Sequence, residues 1–569
     1  MFLVPSAFSS SPHQETSMSD TIKNNRHPRE RNGGTSPEEY DLLITGGTIF
    51  DGSANPGVAG DVAIKRDMIV KIGKHIDRNT ARKVIDAAGY VVTPGFIDPH
   101  SHTDFELLVN PKAESKIRQG VTTEIGGNCG FSLFPPSNVN RSYLKKKYDI
   151  AMDWENVTEF FDLLARRGIA LNYGSLIGHS DLRGSVMGAA DRPPTSKELD
   201  KMKVLLEEHL EAGVFGLSSG LIYTPGCFAH INELIELCRV VAIHNGVYST
   251  HMRDEGDNIL EAVEEAIAIA KESKVSLQIS HLKMAYPRNW PKVHAILSRI
   301  SEVEKENVKI LADRYPYVAT STLLSVFIPP WVKQGTTEEY LERMKDPSIR
   351  RQVYDYIRKQ EERIGSWDKI RISSILTEGN KRFIGKSILE TAIALGKDPA
   401  SLIINLLIEE EDQVQMINFS LNEDNFKQII AHPLVVIGSD GWALSPYGAL
   451  AGGKPHPRSY GTFPRMLGRY VREEKIMTLG LAIQKMTSIT ANKFGLKWRG
   501  WLREGFFADI VIFDPERIID RATWEEPHQY PEGIHYVIVN GKVVIDQGNH
   551  TGLLPGRVLK KEIPLTFVY

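Results

Sequence analysis

The chain has 569 residues, more than one hydrophobic core usually serves, so two or more structural units are expected. It is 41% apolar and 24% charged with a formal net charge of −3, which suits a globular protein and leaves no nucleic-acid or membrane footprint. Three cysteines, Cys129, Cys227 and Cys238, are too few for a disulfide scaffold and fit a reducing, cytoplasmic setting.

The start, MFLVPSAF, is apolar but lacks a basic flank, so no signal peptide is expected. Residues 1–38 are rich in Ser, Pro, Asn and charge and read as a disordered tail, with Met18 an alternative start. From 39 to 95, DLLITGGTIFDG, DVAIKRDMIVKIG and RKVIDAAGYVVTPG are short β-rich runs broken by turn residues. The same texture returns over 501–569 in ADIVIFD and HYVIVNGKVVIDQG, the latter with an Asn540-Gly541 hairpin signal. Together the two ends predict one small β-sandwich.

Between them, residues 96–500 alternate strand and helix. Thr195 and Glu198 frame a capping box opening a helix to about Ala212. GVFGLSSG, GVYSTH, VSLQISH and VKILADRYPY then read as strands separated by amphipathic helices. This alternation predicts an α/β fold with a parallel sheet closed as a TIM-like (β/α)8 barrel. Residues 331–380 are charged and helical without an intervening strand, and read as an insertion, either a lid or a solvated excursion.

Barrel sites lie at the C-terminal ends of the strands. Here the apolar runs end in His100-Ser101-His102, Cys129, His251, His281 and Asp440, a metal-type ligand each time. On extended chain, residues i and i+2 share a face, so His100 and His102 can address one metal. Cys129 sits in a glycine-rich loop, Gly126-Gly127-Asn128-Cys129-Gly130, that permits close backbone approach. His251 and His281 are one strand–helix unit apart, at equal height on adjacent strands. Thiolate and imidazole together favour zinc. Asp440 reads as a carboxylate beside metal-activated water, or else as a helix cap. Cys227 and Cys238 read as small buried hydrophobes, and His179, His230, His432 and His456 as structural.

At these residues the sequence resembles the amidohydrolase superfamily, and within it the D-aminoacylase (N-acyl-D-amino-acid deacylase) family. GFIDPHSHTD, GVTTEIGGNCGFS, YSTHMRDEG, QISHLK, DRYPYVATST, IGSDGWAL and HPRSYGTFPR resemble its signatures in order from about Asp41 onward. The resemblance implies that Cys129, His251 and His281 hold a tight zinc, with His100 and His102 forming a weaker second site bridged by Cys129. It implies Asp440 as the acid/base, also near the weak metal, and Lys283, Tyr315, Ser321 and Arg458 as readers of the substrate carboxylate. The partner implied is a small-molecule N-acyl-D-amino acid, hydrolysed to a carboxylate and a D-amino acid. Two rivals are a cyclic-amide hydrolase of hydantoinase type, which needs a lysine where GNCG stands, and a catalytically silent metal-binding assembly protein. Arg253 is open between meeting an acidic substrate side chain and a structural role.

Overall fold

A computed structural model describes residues 39–562. The tail expected over 1–38 lies outside the described residues, as do the last residues of the C-terminal β segment.

Eight parallel strands form the central ring. They are β1 (Phe96–Asp98), β2 (Val121–Gly126), β3 (Asn172–Ser175, resuming as Ile177–Gly178), β4 (Gly216–Gly220), β5 (Val247–His251), β6 (Ser276–Ile279), β7 (Ile310–Arg314) and β8 (Val435–Ile437). Each pairs in parallel with the next. All residues of β2 and β5 are buried, as a sheet covered on both faces requires. Amphipathic helices cover the outside. That of Ile259–Ser273 turns Ala262, Val263, Ala266, Ile267 and Ala270 inward. The helix over Ser196–Glu211 opens on the Thr195–Glu198 capping box read from the sequence.

Closure between β8 and β1 is made beyond the strands themselves. Ser101 bridges Gly441 in parallel. Asp440 N donates to His100 O at 2.8 Å, and His102 N to Gly441 O at 3.0 Å. Beneath this seam the buried Lys116 donates to Asp98 Oδ2 and Ser439 Oγ, each at 2.7 Å.

The two chain ends build one nine-stranded sheet with its own interior. Leu42, Ile44, Val62 and Ile85 from the N-terminal part pack with Ile510, Ile512 and Ile538 from the C-terminal part. Asn540 and Gly541, both at positive φ, turn the hairpin between Ile534–Val539 and Lys542–Asp546.

The excursion expected at about 331–380 belongs to a larger unit between β7 and β8. Thr320–Leu323, Gln415–Asn418 and Ile370–Ser374 form a three-stranded antiparallel sheet. Ile370–Ser374 is a strand inside the segment read as purely helical. Its alternation is short and is flanked by charged helical sequence, which masked it. The unit has a separate core, including Val353, Ile357, Trp367, Leu407 and Met416. No single described helix is long and apolar enough to cross a membrane.

Candidate active site

The strand ends converge on one point at the C-terminal mouth. Ligand atoms of His100, Cys129, His281 and Asp440 all lie within 4.8 Å of one another, and so do those of His251, Glu255 and His281. Cys129 Sγ is 3.3 Å from His100 Nε2 and 3.5 Å from His281 Nε2. His102 Nε2 is 2.9 Å from Asp440 Oδ1, and the rings of His251 and His281 are 4.4 Å apart. All six expected ligands therefore meet, with His281 common to both groups.

Local backbone explains the residue types. Cys129, His281 and Asp440 have φ of 52°, 39° and 51°, a region costly for residues with a Cβ and often found at functional sites. The turn at Cys129 needs its glycines. A Cβ on Gly127 would lie 2.0 Å from Leu176 O, and one on Gly220 would lie 2.1 Å from Cys129 O. The tight packing of this loop against β3 and β4 fixes the place of the thiol.

Two buried groups at this point are held in their anionic forms. Burial penalises the Cys129 thiolate, yet His100 and His281 outweigh it and hold the thiol well below its ordinary range. Burial likewise opposes charge on Asp440, but Arg458, His281 and His100 keep that carboxyl well below the ordinary range. Burial lowers His251, favouring the neutral imidazole that ligates metals. Both His251 ring nitrogens are buried without a hydrogen-bond partner, which costs about 1–3 kcal/mol per group unless a ligand supplies one. The mixed S, N and O donor set suits zinc, and the unpartnered imidazole shows where such an ion fits.

The expected carboxylate readers surround this cradle unequally. Arg458 pairs with Asp440 Oδ2 at 2.7 Å and lies 4.7 Å above the Tyr315 ring. The Tyr315 hydroxyl and Ser321 Oγ are buried and unpartnered. Lys283 does not extend freely toward the mouth. β6 stops at Ile279 and His281 turns to positive φ, so the i, i+2 relation of an extended strand does not hold. Its Nζ is 2.6 Å from Glu255 Oε1 and 2.7 Å from His281 Nδ1.

Arg253 lines the cavity and is held by the protein. Its guanidinium engages Glu265 at 2.9–3.2 Å and the carbonyls of Cys227 and Ala229, each at 2.9 Å. Cys238 is buried, whereas Cys227 is half-buried on the cavity wall. His179 pairs with Glu233 at 2.8 Å, away from the cradle.

Two groups escaped the sequence reading. Asp313 accepts from His281 N at 2.8 Å and lies 3.1 Å from His100 Nδ1. It sits near the end of β7, so the strand-end rule could have found it. Glu255 lies four residues past His251 in a loop whose direction no periodicity reveals. Above all these groups a cavity of about 2450 Å³ opens between the barrel mouth and the 320–418 unit, lined there by Lys333, Tyr340 and Arg363.

A barrel with a thiolate, imidazoles and a carboxylate at its C-terminal mouth defines the class of metal-dependent hydrolases. The sequence profile of the amidohydrolase family matches residues 83–545. D-aminoacylase of Alcaligenes xylosoxydans xylosoxydans is 36% identical over 92% of this chain and 98% of its own. N-acyl-D-aspartate deacylase of the same organism is 34% identical over 92% and 96%. The crystal structure of N-acyl-D-glutamate deacylase from Bordetella bronchiseptica, complexed with zinc and a phosphonate inhibitor, superposes with TM-score 0.79 at 34% identity. It covers 92% of this chain and 100% of that one. The chain belongs to the amidohydrolase family, in the branch of the D-aminoacylases.

Proposed function

We propose that this protein is a zinc-dependent hydrolase that cleaves the amide bond of N-acyl-D-amino acids. The observation that carries this reading is the convergence of His100, Cys129, His281 and Asp440 within 4.8 Å, beside the buried, unpartnered hydroxyls of Tyr315 and Ser321. Cys129, His251 and His281 would hold the zinc, with His100, His102 and Asp440 offering a second, weaker position. Bound zinc supplies Lewis acidity and a water that ionises near neutral pH.

The chain's own groups do the rest. Asp440 accepts a proton from water as the new C–O bond forms at the amide carbonyl. It then returns that proton to the nitrogen as the C–N bond breaks, giving a carboxylic acid and a D-amino acid. Lys283, Tyr315, Ser321 and Arg458 line the same cavity as Asp440 and would donate to the substrate α-carboxylate. Anchored there, only one configuration at the α-carbon aims its amide at the metal. The test is turnover of N-acetyl-D- and N-acetyl-L-amino acids by the zinc-loaded protein. Hydrolysis of the D series supports the reading; no turnover of D substrates, or preference for L, overturns it.

A further inference from the structure

Glu255 touches three members of the site at once. Its Oε1 lies 2.9 Å from His281 Nδ1 and accepts from Lys283 Nζ at 2.6 Å. Its Oε2 lies 3.5 Å from His251 Nε2. The backbone is fixed as well, because Glu255 O accepts from Ala285 N at 2.7 Å. The loop after β5 is thereby tied to the loop after β6.

The His281 ring has two different edges. Nε2 faces Cys129 Sγ at 3.5 Å, while Nδ1 faces Glu255 and Lys283. An imidazole that ligates through Nε2 carries its proton on Nδ1 and needs an acceptor there. Lys283 at 2.7 Å can only donate, so alone it would favour the opposite tautomer, with the proton on Nε2 pointing into the cradle. Glu255 reverses this. It draws the ammonium into an ion pair through Oε1, and that same oxygen lies 2.9 Å from Nδ1, where it can accept the Nδ1 proton.

We infer that Glu255 is a positioning residue joining two tasks: it sets the tautomer of the metal ligand His281, and it holds the Lys283 ammonium where the substrate carboxylate arrives. The second task rests on the function proposed above; the first does not. Glu255→Gln and Glu255→Ala separate the tasks. Glutamine keeps an oxygen for Nδ1–H but loses the charge that holds Lys283, whereas alanine loses both.

The experiment measures zinc transfer to a competing chelator, melting temperature, and KM and kcat on N-acetyl-D-amino acids and on an N-acetyl amine lacking the carboxylate. Glu255→Ala should bind zinc about 10–100-fold more weakly than wild type, the range for removal of an outer partner of a metal-ligating histidine. Glu255→Gln should keep zinc within about threefold, yet raise KM for the carboxylate substrates about tenfold with little change for the amine. A Glu255→Ala variant that holds zinc like wild type overturns the tautomer role. A Glu255→Gln variant that raises both KM values alike overturns the lysine role. A purely structural residue would lower the melting temperature in both variants without this split. The isosteric glutamine variant carries the lysine arm if the alanine variant does not fold. If wild type turns over no N-acyl-D-amino acid, the substrate reading fails while the chelator measurement still decides the tautomer.

Discussion

Asp440 and Arg458 form a 2.7 Å ion pair in which both side chains are enclosed by protein. The other carboxylate oxygen of Asp440 faces His102 Nε2 at 2.9 Å, so the group is held from two sides. Asp440→Asn preserves this shape and removes the proton carrier. It should keep zinc and lose about 10²–10⁴-fold in kcat. Metal analysis and steady-state kinetics on the same preparation check this, and turnover within about threefold of wild type would reduce Asp440 to a cap.

Cys129 stands at positive φ, and alanine meets the same backbone cost there. Loss of zinc from Cys129→Ala therefore reports the thiolate and not the turn. Wild type should retain roughly one zinc per chain through dialysis and melt at lower temperature once chelated, since ligand at about 1,000 times Kd adds ~4 kcal/mol. The variant should hold little zinc and show no further drop on chelation. Elemental analysis that finds no zinc in wild type would overturn the assignment.

Lys283 is buried and paired with Glu255, a desolvated charge that a substrate carboxylate can join. Removing a charged hydrogen bond costs ~1.5–3 kcal/mol, about ten- to over a hundredfold in kcat/KM. Lys283→Ala should show that loss on N-acyl-D-amino acids, chiefly through KM, and far less on amides without a carboxylate. An equal loss on both would mean that the lysine serves the metal ligands alone.

Asp181 lies on the cavity wall, accepting from Ser132 N at 2.7 Å and from Asn140 Nδ2 at 3.2 Å. Burial pushes its carboxyl up to about 8, although these two donors pull the other way. The unfolded chain ionises it near 3.9, so between those values the folded state binds the extra proton. Stability from this group is complete below the unfolded value and drains away as pH rises toward about 8. Urea unfolding at about pH 5 and about pH 8 should show wild type losing ground to Asp181→Asn. Parallel behaviour of the two would show that Asp181 is already ionised in the fold.

The strand ends were the legible part of the sequence. Apolar runs give the barrel strands, and the polar residue closing each run gives the ligand, because both depend on short-range pattern. Direction beyond the strand was not legible. Lys283 lies two residues past His281, but the chain leaves strand geometry at His281, so alternation does not give its direction. The pairing of Arg253 with Glu265 was not legible, because the helix over Ile259–Ser273 brings that carboxylate to it. Glu255 faces the site because its loop is pinned to Ala285, a contact between two separate loops. The strand Ile370–Ser374 exists through pairing with Gln415–Asn418, more than forty residues onward.

The seam between β1 and β8 ties the order of synthesis to the closing of the ring. His102 and Asp440 are 338 residues apart, and their loops make the hydrogen bonds that close the ring. A ribosome must release more than three quarters of the chain before Asp440 can meet the histidines made first. Cys129, His251 and His281 are all made by then, so the three proposed tight ligands precede the seam, and a truncated product stopping before residue 440 would keep them while lacking the closing hydrogen bonds and the proposed proton carrier.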